Sequence, residues 1–158
     1  MIFYLLFVTL TITNKKVMSA STKLSAAVKA LTILSKDYPS PKNSLEISVH
    51  TGINASKLRK ILSMLVKNGI VESAYGTTGG FKLKRKPSKI HLQEIYCAIE
   101  DRKAFHLDVP KSNRKYSIES SKLNVYFLEL FSTIQIDIEE RMKKITLQSI
   151  IDQINLEK

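Results

Sequence analysis

Cysteine is almost absent: Cys97 is the one example in 158 residues. No intrachain disulfide can form and no multi-cysteine zinc site can be assembled, so the fold must rest on its apolar core and suits a reducing cytoplasm. Acidic residues are scarce as well, 14 Asp and Glu against 25 Lys and Arg, for a net charge of +11. That balance favours a polyanionic partner such as nucleic acid or an anionic membrane. Long apolar runs are missing apart from Met1 to Thr13, which falls short of the about 20 residues needed to span a bilayer. This run also lacks the basic start and the cleavage site of a signal peptide. Residues 1–17 are therefore expected to be an upstream extension, with native translation beginning at Met18, in preference to a membrane tether. No repeat or low-complexity tract stands out.

Catalytic patterns are missing too. The chain has no P-loop, no Gly-x-Ser-x-Gly, no His-Glu-x-x-His and no dinucleotide fingerprint. Gly76-Thr77-Thr78-Gly79-Gly80 is glycine-rich, but no Gly-Lys-Ser/Thr follows it and it joins two β-prone stretches. His50, His91 and His106 have no metal-ligand spacing. No enzyme activity, metal or cofactor is expected.

What is present is ordinary folding material, 44% apolar and 25% charged, enough for one core with a long projecting element. The charge is concentrated: residues 54 to 89 hold nine Lys and Arg against one Glu, +8 of the total +11.

Periodicity divides the chain. Leu24, Ala27, Val28, Leu31 and Leu34 share one helical face within Ser21 to Asp37, and Pro39 and Pro41 end that helix. Asn43 with Glu46 has the form of a capping box opening a short helix that should turn Leu45 and Val49 inward and close at Gly52. Asn54 then caps a helix over Ala55 to Asn68, apolar through Leu58, Ile61, Leu62 and Leu65 and polar or basic through Ser56, Lys57, Arg59, Lys60 and Ser63. Two β-prone stretches follow, Ile70 to Tyr75 and Phe81 to Arg85. Ile90 to Asp101 is helical again, 102–119 reads as a linker, and Leu123 to Met142 carries an apolar stripe along a long helix. Thr146 caps a last helix with Leu147, Ile150, Ile151 and Ile154.

A short helix, a tight turn, a basic helix and a hairpin form the layout of a winged helix-turn-helix, in which the second helix of the turn enters the major groove. The fold expected is mainly α with a small β-hairpin, a DNA-binding unit over 18–101 and a dimerisation and C-terminal helical part over 120–158. Candidate DNA contacts are Asn54, Ser56, Lys57, Arg59, Lys60 and Ser63 on the helix and Tyr75, Thr77, Thr78, Lys82 and Lys84 on the wing, with Arg85 and Lys86 as further sources of charge. Leu123, Tyr126, Phe127, Leu130, Phe131, Ile134 and Ile138 exceed what so small a domain can cover, which points to a homodimer. The competing reading is a winged-helix module for protein contacts without specific DNA binding.

Ser73-Ala74-Tyr75-Gly76-Thr77-Thr78-Gly79-Gly80-Phe81-Lys82-Leu83 resembles the wing of the Rrf2 family, whose usual form is Ser-x-Arg-Gly-x-x-Gly-Gly-Tyr/Phe-x-Leu. Leu58 to Gly69, running into Ile70-Val71-Glu72-Ser73, is similar to the recognition helix that precedes that wing. The resemblance spans about Lys23 to Asp101 and, by pattern alone, the C-terminal helix. It implies a bacterial, dimeric transcription regulator, a repressor by analogy, acting on a roughly palindromic operator. Two departures stand out: Tyr75 takes the place of the wing arginine, and Arg59 that of a glutamate common in iron-sulfur members. Those members carry three cysteines after the fourth helix, where this chain has none, so no cluster is expected. Cys97, on a helix between Ile95 and Ile99, is expected to be a small core residue; the alternative, a redox sensor, would need an exposed, electropositive setting of the kind Arg102 or Lys103 could help create.

Overall fold

The computed structural model describes residues 22–76, 79–100 and 118–156. In chain order these form α1 (Thr22–Lys36), α2 (Ser44–Thr51), α3 (Ala55–Lys67), β1 (Val71–Ala74), β2 (Gly80–Leu83), a 3-10 turn (Pro87–Lys89), α4 (Leu92–Ile99), α5 (Ile118–Lys143) and α6 (Leu147–Leu156). The mainly helical architecture, with one small hairpin among the described residues, is the one expected. Residues 1–21, Thr77, Thr78 and residues 101–117 lie outside the described set, and with them the N-terminal extension and most of the linker.

The helices of the turn are set by their caps. Asn43 Oδ1 accepts from the backbone of Leu45 at 3.0 Å and of Glu46 at 2.9 Å, while Glu46 Oε2 accepts from Asn43 N at 2.9 Å. This is a complete capping box, and Gly52 closes α2 in the left-handed conformation at φ 68, where glycine carries no side-chain penalty. Asn54 caps α3 without a returning carboxylate, its side chain accepting from Ser56 N at 2.9 Å. Leu58, Ile61, Leu62 and Leu65 then recur at three and four residues and are all buried, the spacing of one helix face.

The inward face of α2 differs from the expectation. Leu45 and Val49 are 67% and 75% exposed, and Ile47 is the buried residue. Between the two caps, Ser44, Ile47, Ser48 and Thr51 share the covered face. Residue 47 lies two positions from both 45 and 49, about 200° around the helix, so it faces the other way. Hydroxyl groups can take this face because they are satisfied locally: Thr51 Oγ1 donates to Ile47 O at 2.7 Å and Ser48 Oγ to Ile53 O at 2.6 Å. Burying a polar group costs little once it is hydrogen-bonded.

One apolar core joins the helices and the hairpin, α5 excepted. Ala26, Ala27, Ala30, Leu31 and Leu34 of α1 meet Ile47, the α3 leucines, Ile70, Val71, Leu83, Ile90, and Ile95, Ala98 and Ile99 of α4. On α1 the centre of the buried face is therefore the alanine and leucine stripe, with Leu24 and Val28 packed at its margin. Leu147 of α6 is part of the same core, so the last helix returns to the winged unit. A short bridge ties it there: Leu92 N donates to Ile145 O and Leu147 N to Ile90 O, both at 2.8 Å.

Candidate nucleic-acid interface

β1 and β2 pair antiparallel with Val71 opposite Leu83, Glu72 opposite Lys82, Ser73 opposite Phe81 and Ala74 opposite Gly80. The outer edge of β2 is covered by the segment before α2: Lys42 N donates to Phe81 O at 2.9 Å and Phe81 N to Lys42 O at 2.8 Å. The glycine doublet makes this possible. A Cβ on Gly79 would lie 2.5 Å from Ala74 O and 2.8 Å from Gly76 O, and one on Gly80 would lie 2.6 Å from the carbonyl carbon of Lys42 and 2.9 Å from Asn43 N. Gly76, at φ 104, occupies backbone space that other residues rarely adopt. The wing is thereby fastened to the cap of α2, and its orientation relative to α3 follows from that contact. Lys42 and Asn43 are the participants that sequence reasoning missed; the glycine doublet signals a close backbone approach without saying to what.

The polar face of α3 presents Ser56, Lys57, Arg59, Lys60 and Ser63, all exposed. Among the described residues no carboxylate is paired with Lys57, Arg59 or Lys60. Arg59 leans toward α2, its Nη1 donating to Ser44 Oγ at 3.4 Å. Asn54 is at the same end, but its Oδ1 is committed to the cap, which leaves the amide N–H₂ to face a ligand. Ser56, Lys57, Arg59, Lys60 and Ser63 are all exposed on α3, with Lys57 at the margin toward α1 and Arg59 at the margin toward α2.

The wing residues divide. Tyr75 is 95% exposed beside the tip, whereas Thr77 and Thr78 lie outside the described residues. Lys82 is held at 2.9 Å by Glu72 across the hairpin. Lys84 stands at the base, where Lys84 N donates to Ile70 O at 3.0 Å, and its ammonium lies near Gly69. Arg85 is engaged elsewhere: its guanidinium binds Glu94 at 2.6 Å and donates to Lys89 O at 3.1 Å, stapling the hairpin to α4.

Cys97 is exposed and not the core residue expected, which meets half of the requirement for a sensor. Its setting runs the other way, because partial burial of the thiol, and then the Glu139 carboxylate, push its pKa up. A raised pKa leaves less thiolate, the reactive form. Arg102 and Lys103 are outside the described residues. His91 Nδ1 is 2.6 Å from Lys143 O, which makes it part of the seam between α4 and the end of α5.

Along α5, Leu123, Val125, Tyr126, Leu128 and Ile136 are 47–59% exposed. Phe127, Leu130, Phe131, Ile134 and Ile138 are half-buried, with the Phe127 and Phe131 rings stacked at 5.6 Å. No helix among the described residues is long and apolar enough to cross a membrane.

Comparison with known proteins agrees with this geometry. The family model Rrf2, described as an iron-dependent transcriptional regulator, matches residues 20–153. The HTH-type regulator YwgB of Bacillus subtilis (strain 168) is 27% identical over 142 residues, covering 87% of this chain and 86% of that protein. NMA1593 of Neisseria meningitidis serogroup A, also named as an HTH-type transcriptional regulator, is 30% identical over 139 residues, 87% and 90% of the two chains. The solved structure of T. potens IscR superposes with a TM-score of 0.61 at 24% identity, covering 85% of this chain and 86% of that one. The iron in the family's description finds no set of thiolate donors in this chain. Clusters draw on several thiolates, this chain has a single cysteine, and the described residues contain no group of three His, Cys, Asp or Glu placed to hold a metal. With the family model matched across residues 20–153 and the winged helix in place, the chain belongs to the Rrf2 family of DNA-binding transcriptional regulators.

Proposed function

We propose that the protein acts as a homodimeric repressor that reads a two-fold symmetric operator and carries out no chemistry of its own. The observation that carries this reading is the exposed face of α3, where Ser56, Lys57, Arg59, Lys60 and Ser63 stand together with no carboxylate neutralising the three cations among the described residues. In this reading α3 lies in the major groove, with Arg59 and Lys60 available to guanine edges and Lys57 and the serines to phosphates. Tyr75 approaches the neighbouring backbone. Lys82 and Lys84 add positive potential to the wing rather than direct contacts, since one is ion-paired and the other sits at the hairpin base.

The exposed apolar side chains of α5 support the dimer. Large apolar side chains left wet forfeit about 25 cal/mol for each Å² not buried, and a second copy of the same helix covers them on both chains at once. Two copies of α3 spaced by one helical turn would match a palindromic site, and a dimer seated across a promoter blocks access to it.

The test is selection of bound fragments from the host's genomic DNA, followed by titration of the recovered fragment and a random duplex across salt. A shared palindrome, preference over random duplex and steep weakening with salt are expected, with a dimer by sedimentation. Binding without sequence preference would refute the regulator reading and favour a protein-interaction module.

A further inference from the structure

Thr22, Ser25, Ala26 and Lys29 lie on one face of α1 at spacings of three and four residues. Together with Ile53 and Lys57 they line a cleft of about 380 Å³ where the start of α1 meets the start of α3. Ala26 is buried and Ile53 half-buried, forming an apolar floor, whereas Thr22, Ser25, Lys29 and Lys57 are exposed. Two ammonium groups, two hydroxyls and no carboxylate make a lining that attracts an anion and repels a cation. Both Thr and Ser hydroxyls donate readily to phosphate oxygens.

Two features decide which anion. Pockets for small effectors enclose their ligand and are mostly apolar, but the four polar side chains here are exposed at the rim. Lys57 also belongs to the cationic face of α3, so the cleft is continuous with the surface that would meet a duplex. When a recognition helix occupies the major groove, the first helix of the turn, here α2, crosses the backbone, and a strand bordering the groove passes the elements that flank α3, of which α1 is one.

From this we infer that the cleft is a phosphate seat for the operator backbone, in which Lys29, Ser25 and Thr22 grip a phosphodiester beside the groove occupied by α3. The inference rests on the DNA-binding reading above and assigns α1 a part in it. Its contribution is independent of base sequence, because a phosphate carries no base identity.

The test uses the full-length chain, the recovered operator fragment and a random duplex of equal length, titrated between 50 and 200 mM salt. Lys29→Gln is expected to weaken binding to both duplexes alike and to lower the slope of log affinity against log salt by about 0.9 for each protomer bound. The fall in affinity across that range then becomes about 3.5-fold smaller per protomer. Ser25→Ala should lower affinity on both duplexes in the same way. Lys36→Gln, an exposed lysine at the far end of α1, controls for net charge and should leave the slope unchanged. If Lys29→Gln behaves like Lys36→Gln, the cleft is not a phosphate seat, while the regulator reading stands on the parent's sequence preference. A parent lacking that preference sinks the regulator reading, yet the Lys29 comparison on random duplex still decides the cleft. A parent that binds no duplex overturns both.

Discussion

Gly80→Ala adds a single methyl group, 2.6 Å from the carbonyl carbon of Lys42 and 2.9 Å from Asn43 N. Both neighbours are backbone, so no side chain can swing aside; either β2 or the Lys42 segment must retreat. Retreat breaks the reciprocal pair between Lys42 and Phe81, whose hydrogen bonds measure 2.9 and 2.8 Å. Two backbone hydrogen bonds at a net 0.5–1.5 kcal/mol each are worth about 1–3 kcal/mol. Gly80 does not have a left-handed φ, so alanine recovers about 0.4–1 kcal/mol by restricting the unfolded chain. The net loss is about 0–2.6 kcal/mol, centred near 1.3 kcal/mol. At about 2–4 °C per kcal/mol for a chain of this size, Tm falls by several degrees. Thermal unfolding followed by circular dichroism checks it, at fixed protein concentration because dimerisation would couple Tm to concentration. The wing moves with β2, so operator affinity should also fall. A Gly80→Ala protein with the parent's Tm would show that the Lys42 contact neither constrains the wing nor stabilises it.

Asn43→Ala removes both hydrogen bonds of the cap on α2 and should cost about 1 kcal/mol, read as a lower urea midpoint with an unchanged m-value. For Cys97 the thiol pKa is raised, so less thiolate is present at neutral pH than for an ordinary cysteine. Iodoacetamide should therefore alkylate it more slowly than glutathione at pH 7.5, the rate climbing as pH rises, and Glu139→Gln should speed it. Faster alkylation than glutathione would remove this account of the site.

Whatever depends on neighbours within one or two turns was legible in the amino-acid order. The three-and-four spacing of Leu58, Ile61, Leu62 and Leu65 gave the buried side of α3 and, by subtraction, its cationic side. Asn43 with Glu46, Asn54, and the glycines at 52 and 76 placed the caps and turns, because capping and left-handed backbone are local matters of hydrogen bonding and sterics. The family resemblance of the wing lay in the same short range.

Only the tertiary structure decided which side of α2 faces inward, since Ile47 with three hydroxyl residues outcompetes Leu45 and Val49 once the two caps fix the helix against α1 and α3. It also decided which cations remain available: Lys82 meets Glu72 across the hairpin, and Arg85 meets Glu94 from the next helix. Likewise it placed Glu139 of α5 near Cys97 of α4 and Lys29 of α1 beside Lys57 of α3. The physical reason is range. Periodicity and caps are written by adjacent residues, whereas ion pairing, thiol chemistry and clefts depend on which distant segments the core draws within a few ångströms of each other.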